Sequence, residues 1–269
     1  PADTLRKGGT ALRLAVIGGT GVDARRLFGD TKPLSVETPY GSVVLQEAQH
    51  ESGKKVFFLA RHGAGHSVPP HRINYRANAW ALRELGVEAV LATAAVGALR
   101  RQIQPGDLVV IDSFIDLTSG RPSTFFDGED GRVVHTDMTE PYCPILRQAV
   151  LAAGGDLPVR IHSTGCYVCT NGPRYETPAE VAAFAMLGGD VVGMTGVPEV
   201  VLIRELGLCY ATIALVTNLG AGLSSDLLKH DDVVRTMQAS GDLVCKLLRD
   251  VIDSLQISNC SVCRLPGST

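Results

Sequence analysis

Leu12-Arg13-Leu14-Ala15-Val16-Ile17-Gly18-Gly19-Thr20-Gly21 is an apolar run, interrupted once by Arg13, that stops at a glycine turn. A run this short bounded by glycines reads as a buried strand entering a tight loop. Four more runs share the plan. Residues 56–60 end in Arg61-His62-Gly63, 87–92 in Thr93-Ala94, 190–194 in Thr195, and 208–216 in Thr217-Asn218. As strands of one sheet they would converge at their carboxyl ends, where open α/β sheets bind ligands. Hydroxyls, a guanidinium, an imidazole and an amide would then surround one small molecule.

Helical spacing fills the intervals and completes an α/β alternation. Residues 74–85 stop at Gly86, 143–153 at Gly154-Gly155, and 177–187 open with Thr-Pro and close at Gly188-Gly189. Pro198-Glu199 opens a further helix with an acid in its first turn, where the helix dipole favours negative charge. A last helix spans 231–255. Residues 107–115 read as one more strand, and 118–144, rich in Gly, Pro and Asp, as a long irregular segment of the kind that carries function.

At 269 residues the chain suits one domain over 11–256, with a flexible N-terminus at 1–10 and a tail at 257–269. Lys plus Arg total 25 against 28 Asp plus Glu, a formal charge of -3, and neither sign forms blocks. Nucleic acid and anionic membranes are therefore poor partners. Arg6-Lys7 ahead of residues 11–17 imitates a secretion signal, but Arg13 interrupts the apolar run and no small-residue cleavage site follows, so a cytoplasmic location is expected.

Seven cysteines without such a signal point to reduced thiols packed in the core. Cys166 and Cys169 lie in a strand-like run that turns them to opposite faces, which disfavours chelation. Cys260 and Cys263 lie in the tail, which is expected to be disordered unless the two form a redox-labile bridge. About 90 residues separate the two pairs, far more than the ~15–20 of a zinc ribbon.

Gly18-Gly19-Thr20-Gly21 lacks the glycines of a dinucleotide fingerprint, and no P-loop occurs. A glycine turn with a hydroxyl still suits a single phosphate. Arg61 adds a guanidinium fork matched to phosphate, His62 a second donor, and Thr93 and Thr195 further contacts.

These stretches, with Asn171-Gly172-Pro173-Arg174-Tyr175-Glu176, Met194-Thr195 and Val197-Pro198-Glu199, resemble the trimeric nucleoside phosphorylases over residues 12–255. The family includes the methylthioadenosine and the purine nucleoside phosphorylases. Arg121-Pro122, Phe125-Phe126-Asp127-Gly128 and Glu140-Pro141 look more like the methylthioadenosine branch. The resemblance implies a three-layer α/β/α fold with a central mixed sheet partly closed into a barrel. It also implies a homotrimer, which could pair into hexamers.

Carried over from the family, Thr20, Arg61, His62, Thr93, Ala94 and Thr195 match phosphate contacts. Met194 and Tyr175 match residues that pack on the ribose and nucleoside, with Gly220 in the same pocket. Glu176 and Asn218 match base-recognition positions of the purine nucleoside branch, where the methylthioadenosine branch has Ser and Asp. His230 matches a contact to the ribose 5'-hydroxyl, and Phe125, Phe126 and His135 match residues that reach a neighbouring subunit. The activity implied is phosphorolysis of 6-oxopurine nucleosides, with Asn218, His62 and Arg61 catalytic and inorganic phosphate as cosubstrate. It requires no metal and no organic cofactor. The alternatives are an S-methyl-5'-thioinosine or S-methyl-5'-thioadenosine phosphorylase and, from another class, a purine-binding protein without turnover.

Overall fold

The computed structural model describes residues 12–19, 21–129, 131–224, 230–257 and 260–263, with the side chains of 230–233 excepted. Among these residues eleven strands form one mixed sheet. They are β1 (Arg13–Gly18), β2 (Lys32–Val36), β3 (Val43–Gln49), β4 (Lys55–Ala60), β5 (Ala89–Ala98), β6 (Leu108–Val110), β7 (Ser113–Asp116), β8 (Ile161–His162), β9 (Cys166–Cys169), β10 (Val191–Gly193) and β11 (Cys209–Leu219). The helices are α1 (Ala24–Phe28), α2 (Tyr75–Glu84), α3 (Pro144–Gly154), α4 (Pro178–Met186), α5 (Gly196–Glu205) and α6 (His230–Ser254).

The sheet branches at β5. β11 covers one edge of β5 in parallel along its whole length, from Cys209↔Ala89 to Leu219↔Ala98. On the other edge β1 pairs in parallel only as far as Ile17↔Ala92. β10 then arrives antiparallel, with Val192 opposite Gly97 and Val191 opposite Ala98. Thr93, Ala94, Ala95 and Val96 lie between these two ladders. Beyond β1 the order is β4, β3, β2; beyond β10 it is β9, β7; beyond β11 it is β6, β8. No ladder among the described residues joins β2, β7 and β8, so the barrel closure implied by the family resemblance is not among the pairings.

Layering follows from burial. β5 and β11 are covered on both faces and read as nearly continuous apolar sequence. On one face α2 and α5 place Leu82, Leu202 and Ile203 against Val90 and Val216. On the other, α1, α3 and α6 bring Leu27, Leu146, Leu248 and Val251 against Leu91 and Ile213. The three-layer arrangement is the expected one.

Three local expectations change. Residues 107–115 are two strands, because the chain crosses at Ile111-Asp112 from β11 to β9. Ile111 N donates to Thr212 O at 3.1 Å, and Asp112 Oδ1 accepts from Gly165 N at 3.1 Å, which fixes the crossing. β5 runs through Thr93-Ala94 to Ala98, so those residues lie inside a strand and not at its end. β10 is antiparallel to β5, and its carboxyl end meets that of β1 from the opposite direction. The long irregular segment between β7 and α3 is as expected. No helix of the described residues is long and apolar enough to cross a membrane.

Candidate active site

The interval in β5 between the β1 and β10 ladders opens into a cavity of about 360 Å³. Its wall contains Ala94, Ala95, Val96 and Gly97 of β5, joined by residues that follow β1, β4, β10 and β11. A split between neighbouring ladders thus creates the crevice, as at a topological switch point.

At one end stand Gly19, Arg61, His62 and Thr195. Gly19 N donates to Thr93 Oγ1 at 3.0 Å, so that hydroxyl's own proton is left for another acceptor. A Cβ on Gly19 would lie 2.8 Å from Thr93 O and 3.1 Å from Arg61 Nη1, so only glycine lets β1 end this close. Arg61 is buried, and its fork is engaged: Nε donates to Glu199 Oε2 at 2.6 Å, Nη2 to Glu199 Oε1 at 2.7 Å, and Nη1 to Thr93 O at 2.8 Å. Burial alone would lower the guanidinium pKa, but the Glu199 carboxylate outweighs it and holds Arg61 charged. Tyr210 Oη donates to Glu199 Oε1 at 2.7 Å.

His62 has the reverse polarity from that read in the sequence. Burial depresses its pKa to about 4, despite the opposing hydrogen bond to Val68, so the ring is neutral near pH 7. Nδ1 lies 2.9 Å from Val68 O, an acceptor only, and therefore carries the proton. Nε2 is left as an acceptor. The His66 ring stacks on His62 with centroids 4.1 Å apart.

Thr195 precedes α5 and makes no side-chain cap bond. The first amides of α5 turn to the core: Thr195 N and Gly196 N donate to Tyr167 Oη at 3.2 and 3.4 Å, and Val197 N lies 3.4 Å from Cys169 Sγ. The amides at this helix start are therefore spent inside the protein, and side chains supply the polar groups at this end of the cavity.

Tyr175, Glu176, Met194, Asn218 and Gly220 line the rest of the cavity. Glu176 Oε1 accepts from Thr170 Oγ1 at 2.9 Å, and burial pushes its carboxyl pKa up. A register shift leaves Thr217 without a partner in the β5 ladder, and Asn218 resumes the pairing opposite Gly97. Its Nδ2 donates to Leu219 O at 3.0 Å and its Oδ1 accepts from Thr217 Oγ1 at 2.8 Å. The amide orientation is fixed by these two partners, with one N–H and one lone pair remaining.

Thr20 and the His230 side chain lie outside the described residues; His230 is the first residue of α6. Phe125, Phe126 and His135 do not line the cavity of their own chain. The Phe125 ring packs on Tyr40 and Trp80, each 5.5 Å away between centroids. Arg132 lies over the Phe126 ring at 5.7 Å, and His135 is exposed.

The sequence reading missed Glu199, Tyr210, Gly97 and Arg121. An acid inside the apolar run Val197-Pro-Glu-Val-Val-Leu-Ile was a usable signal, because a carboxylate in a helix buried all round needs a buried cation. Arg121 holds the long loop to the cavity wall, donating to Val197 O at 2.6 Å, Met194 O at 2.9 Å and Asn171 O at 3.1 Å.

The sequence pattern described as the Phosphorylase superfamily matches residues 13–253. A probable 6-oxopurine nucleoside phosphorylase of Dictyoglomus turgidum is 49% identical over 253 residues, covering 94% of this chain and 95% of that one. The 6-oxopurine nucleoside phosphorylase of Pyrococcus furiosus is 50% identical over 244 residues, 88% of this chain and 90% of its own. Among solved structures, the methylthioadenosine phosphorylase of Schistosoma mansoni in complex with adenine superposes with a TM-score of 0.84 at 36% identity, covering 90% of this chain and 91% of that one. With the pattern matched over most of its length and relatives this similar, the chain belongs to the phosphorylase superfamily.

Proposed function

We propose that the protein is a purine nucleoside phosphorylase, which cleaves inosine and guanosine reversibly with phosphate to free base and ribose 1-phosphate. The observation that carries the reading is a single cavity lined by Gly19, Arg61, His62 and Thr195 as well as by Asn218 and Glu176, with Thr93 hydrogen-bonded to Gly19 and Arg61 beside it. The two relatives at 49% and 50% identity bear names of that activity. Purine salvage in the cytoplasm by a homotrimer, alone or paired into hexamers, belongs to the same reading.

Phosphorolysis must place an anionic nucleophile against the anomeric carbon and ease the departure of the purine. The remaining N–H groups of the Arg61 Nη atoms and the Thr93 and Thr195 hydroxyls would hold the phosphate, and the neutral His62 Nε2 would accept from a protonated phosphate oxygen. Ribosyl transfer through an oxocarbenium-like state is then helped by the adjacent anion and by in-line placement of the reactants. Asn218 keeps one N–H and one lone pair, which suit O6 and the N7 that gains a proton as the base leaves. Glu176, ionised, would accept from N1–H. Inorganic phosphate is consumed, and the chemistry calls on neither a metal nor an organic cofactor.

A methylthioinosine or methylthioadenosine phosphorylase is the second reading, favoured by the structural likeness to the Schistosoma enzyme and opposed by Glu176 and Asn218. Base release from inosine, adenosine and their 5'-methylthio analogues, measured with and without phosphate, tests both. The expected result is phosphate-dependent release with inosine preferred and a phosphate KM that rises strongly in Arg61→Ala. Release undiminished without phosphate removes phosphorolysis. A preference for the methylthio compounds installs the second reading, and binding without release makes the protein a purine sensor.

A further inference from the structure

Cys143, Cys209, Cys260 and Cys263 are all buried, and their sulfurs lie within 4.8 Å of one another. Cys143 Sγ and Cys260 Sγ are 3.7 Å apart. A disulfide would need about 2.05 Å. A tetrahedral ion with metal–sulfur bonds of about 2.3 Å spaces its sulfurs about 3.8 Å apart. The cluster therefore has the spacing of four ligands around one ion.

The elements that bring these residues together support the same reading. Cys143 is the N-cap of α3, where the helix dipole favours a thiolate. Cys209 opens β11. Cys143 N donates to Tyr210 O at 2.8 Å, and Cys209 N to Glu88 O at 3.1 Å, so half of the ligand set is fixed by the sheet. The other half comes from one turn at 260–263 with the two-residue spacing that structural zinc sites use. That turn is not disordered, contrary to the expectation from sequence. Its approach is held by Lys54, whose ammonium donates to Ile252 O, Asp253 O and Leu255 O at 2.6, 2.9 and 2.9 Å at the end of α6. Leu146, Leu247, Leu255 and Val251 belong to the surrounding apolar cluster. None of the four cysteines lines the catalytic cavity.

We propose that these four cysteines form a structural tetrathiolate site for one zinc ion, which staples the C-terminal turn to the starts of α3 and β11. Each thiol releases its proton as its sulfur bonds the ion, so one Zn²⁺ and four thiols give a site of net charge minus two and four protons in solvent. Nothing is oxidised or reduced. Thiolates are the ligands this ion prefers, and four of them close its coordination, as structural rather than catalytic sites require.

The test uses the full chain purified anaerobically under reducing conditions without chelator. Elemental analysis should find about one zinc per chain. Replacement by Co²⁺ should give the visible bands of tetrahedral cobalt and the near-ultraviolet absorption of thiolate-to-cobalt charge transfer. The double variant Cys260→Ser, Cys263→Ser should lose the zinc and unfold at lower temperature, whereas Cys166→Ser should keep it. Wild-type protein that carries no zinc as isolated and takes up neither Zn²⁺ nor Co²⁺ would overturn the proposal. So would an intact mass lower by the four hydrogens of two disulfides in the same preparation. Both readings are made on the wild type, so a variant that fails to fold does not protect the idea.

Discussion

Arg61 has three of its five N–H groups committed before any substrate arrives, two to Glu199 and one to Thr93 O. The pair is fully desolvated, and Tyr210 completes it. Removing one charge from such a pair leaves the other buried and uncompensated, a loss of about 3–5 kcal/mol. Glu199→Gln is expected to lower unfolding free energy by that order, read from urea denaturation, and to weaken phosphate use because the guanidinium is no longer held in place. Asn218 offers the second residue-scale prediction. An ionised carboxylate offers only acceptors, so Asn218→Asp should depress kcat/KM for inosine and raise it for adenosine, with mismatched groups at ~1–3 kcal/mol each. A wild type that already prefers adenosine refutes it. Arg61 and Asn218 could be read from the sequence because each follows an apolar run. Glu199 reads locally as a first-turn acid, and only the apolar residues on both sides of it signal a helix buried all round and hence a buried cation.

Two elements bear on the cavity: the branched strand β5, which lines it, and the long loop between β7 and α3, which is bonded through Arg121 to its wall. The loop has no regular structure among its described residues, yet side chains tie it down at several points. Arg121 reaches the carbonyls of residues 171, 194 and 197, while Glu205 of α5 accepts from Thr124 Oγ1 and Phe125 N, both at 2.8 Å. Arg121→Met should strand those carbonyls, loosen the loop against Met194, and raise the nucleoside KM about tenfold or more, on the scale of one or two lost charge-assisted hydrogen bonds. Hydrogen exchange should quicken over 117–129, with little change in global stability. The strand runs themselves were legible, because a short apolar run and the polar or glycine stop that ends it are local properties. Branching was not, since nothing in residues 89–98 says that one edge serves two partners of opposite direction. The cysteine cluster failed for a related reason. Spacing rules pair cysteines near each other in the chain, and Cys143 and Cys209 stand alone in theirs.

For the molecule as a whole, His62 makes stability depend on pH. Its folded pKa of about 4 lies below the ordinary value of 6.5, so the unfolded chain takes up the proton first as pH falls. Stability should be full above about pH 6.5 and decline toward pH 4, with about 2 kcal/mol at stake after allowance for partial exposure. Glu176 and Glu205, raised by burial, act in the opposite sense. The measurement is therefore a difference: urea midpoints of wild type and His62→Gln at several pH values, with the variant flatter over that window.

The floor of the cavity is largely backbone. A Cβ on Gly97 would stand 3.1 Å from Asn218 Nδ2, on Gly193 2.1 Å from Tyr167 Oη, and on Gly220 2.8 Å from Ala98 O. Substitutions there collide with the strands or with the Asn218 amide, so drift in the gene cannot reshape the floor one side chain at a time. Divergence toward a new nucleoside is confined to the rim, to Glu176, Met194 and Asn218. Paralogues that differ in substrate should differ at those positions and keep the three glycines.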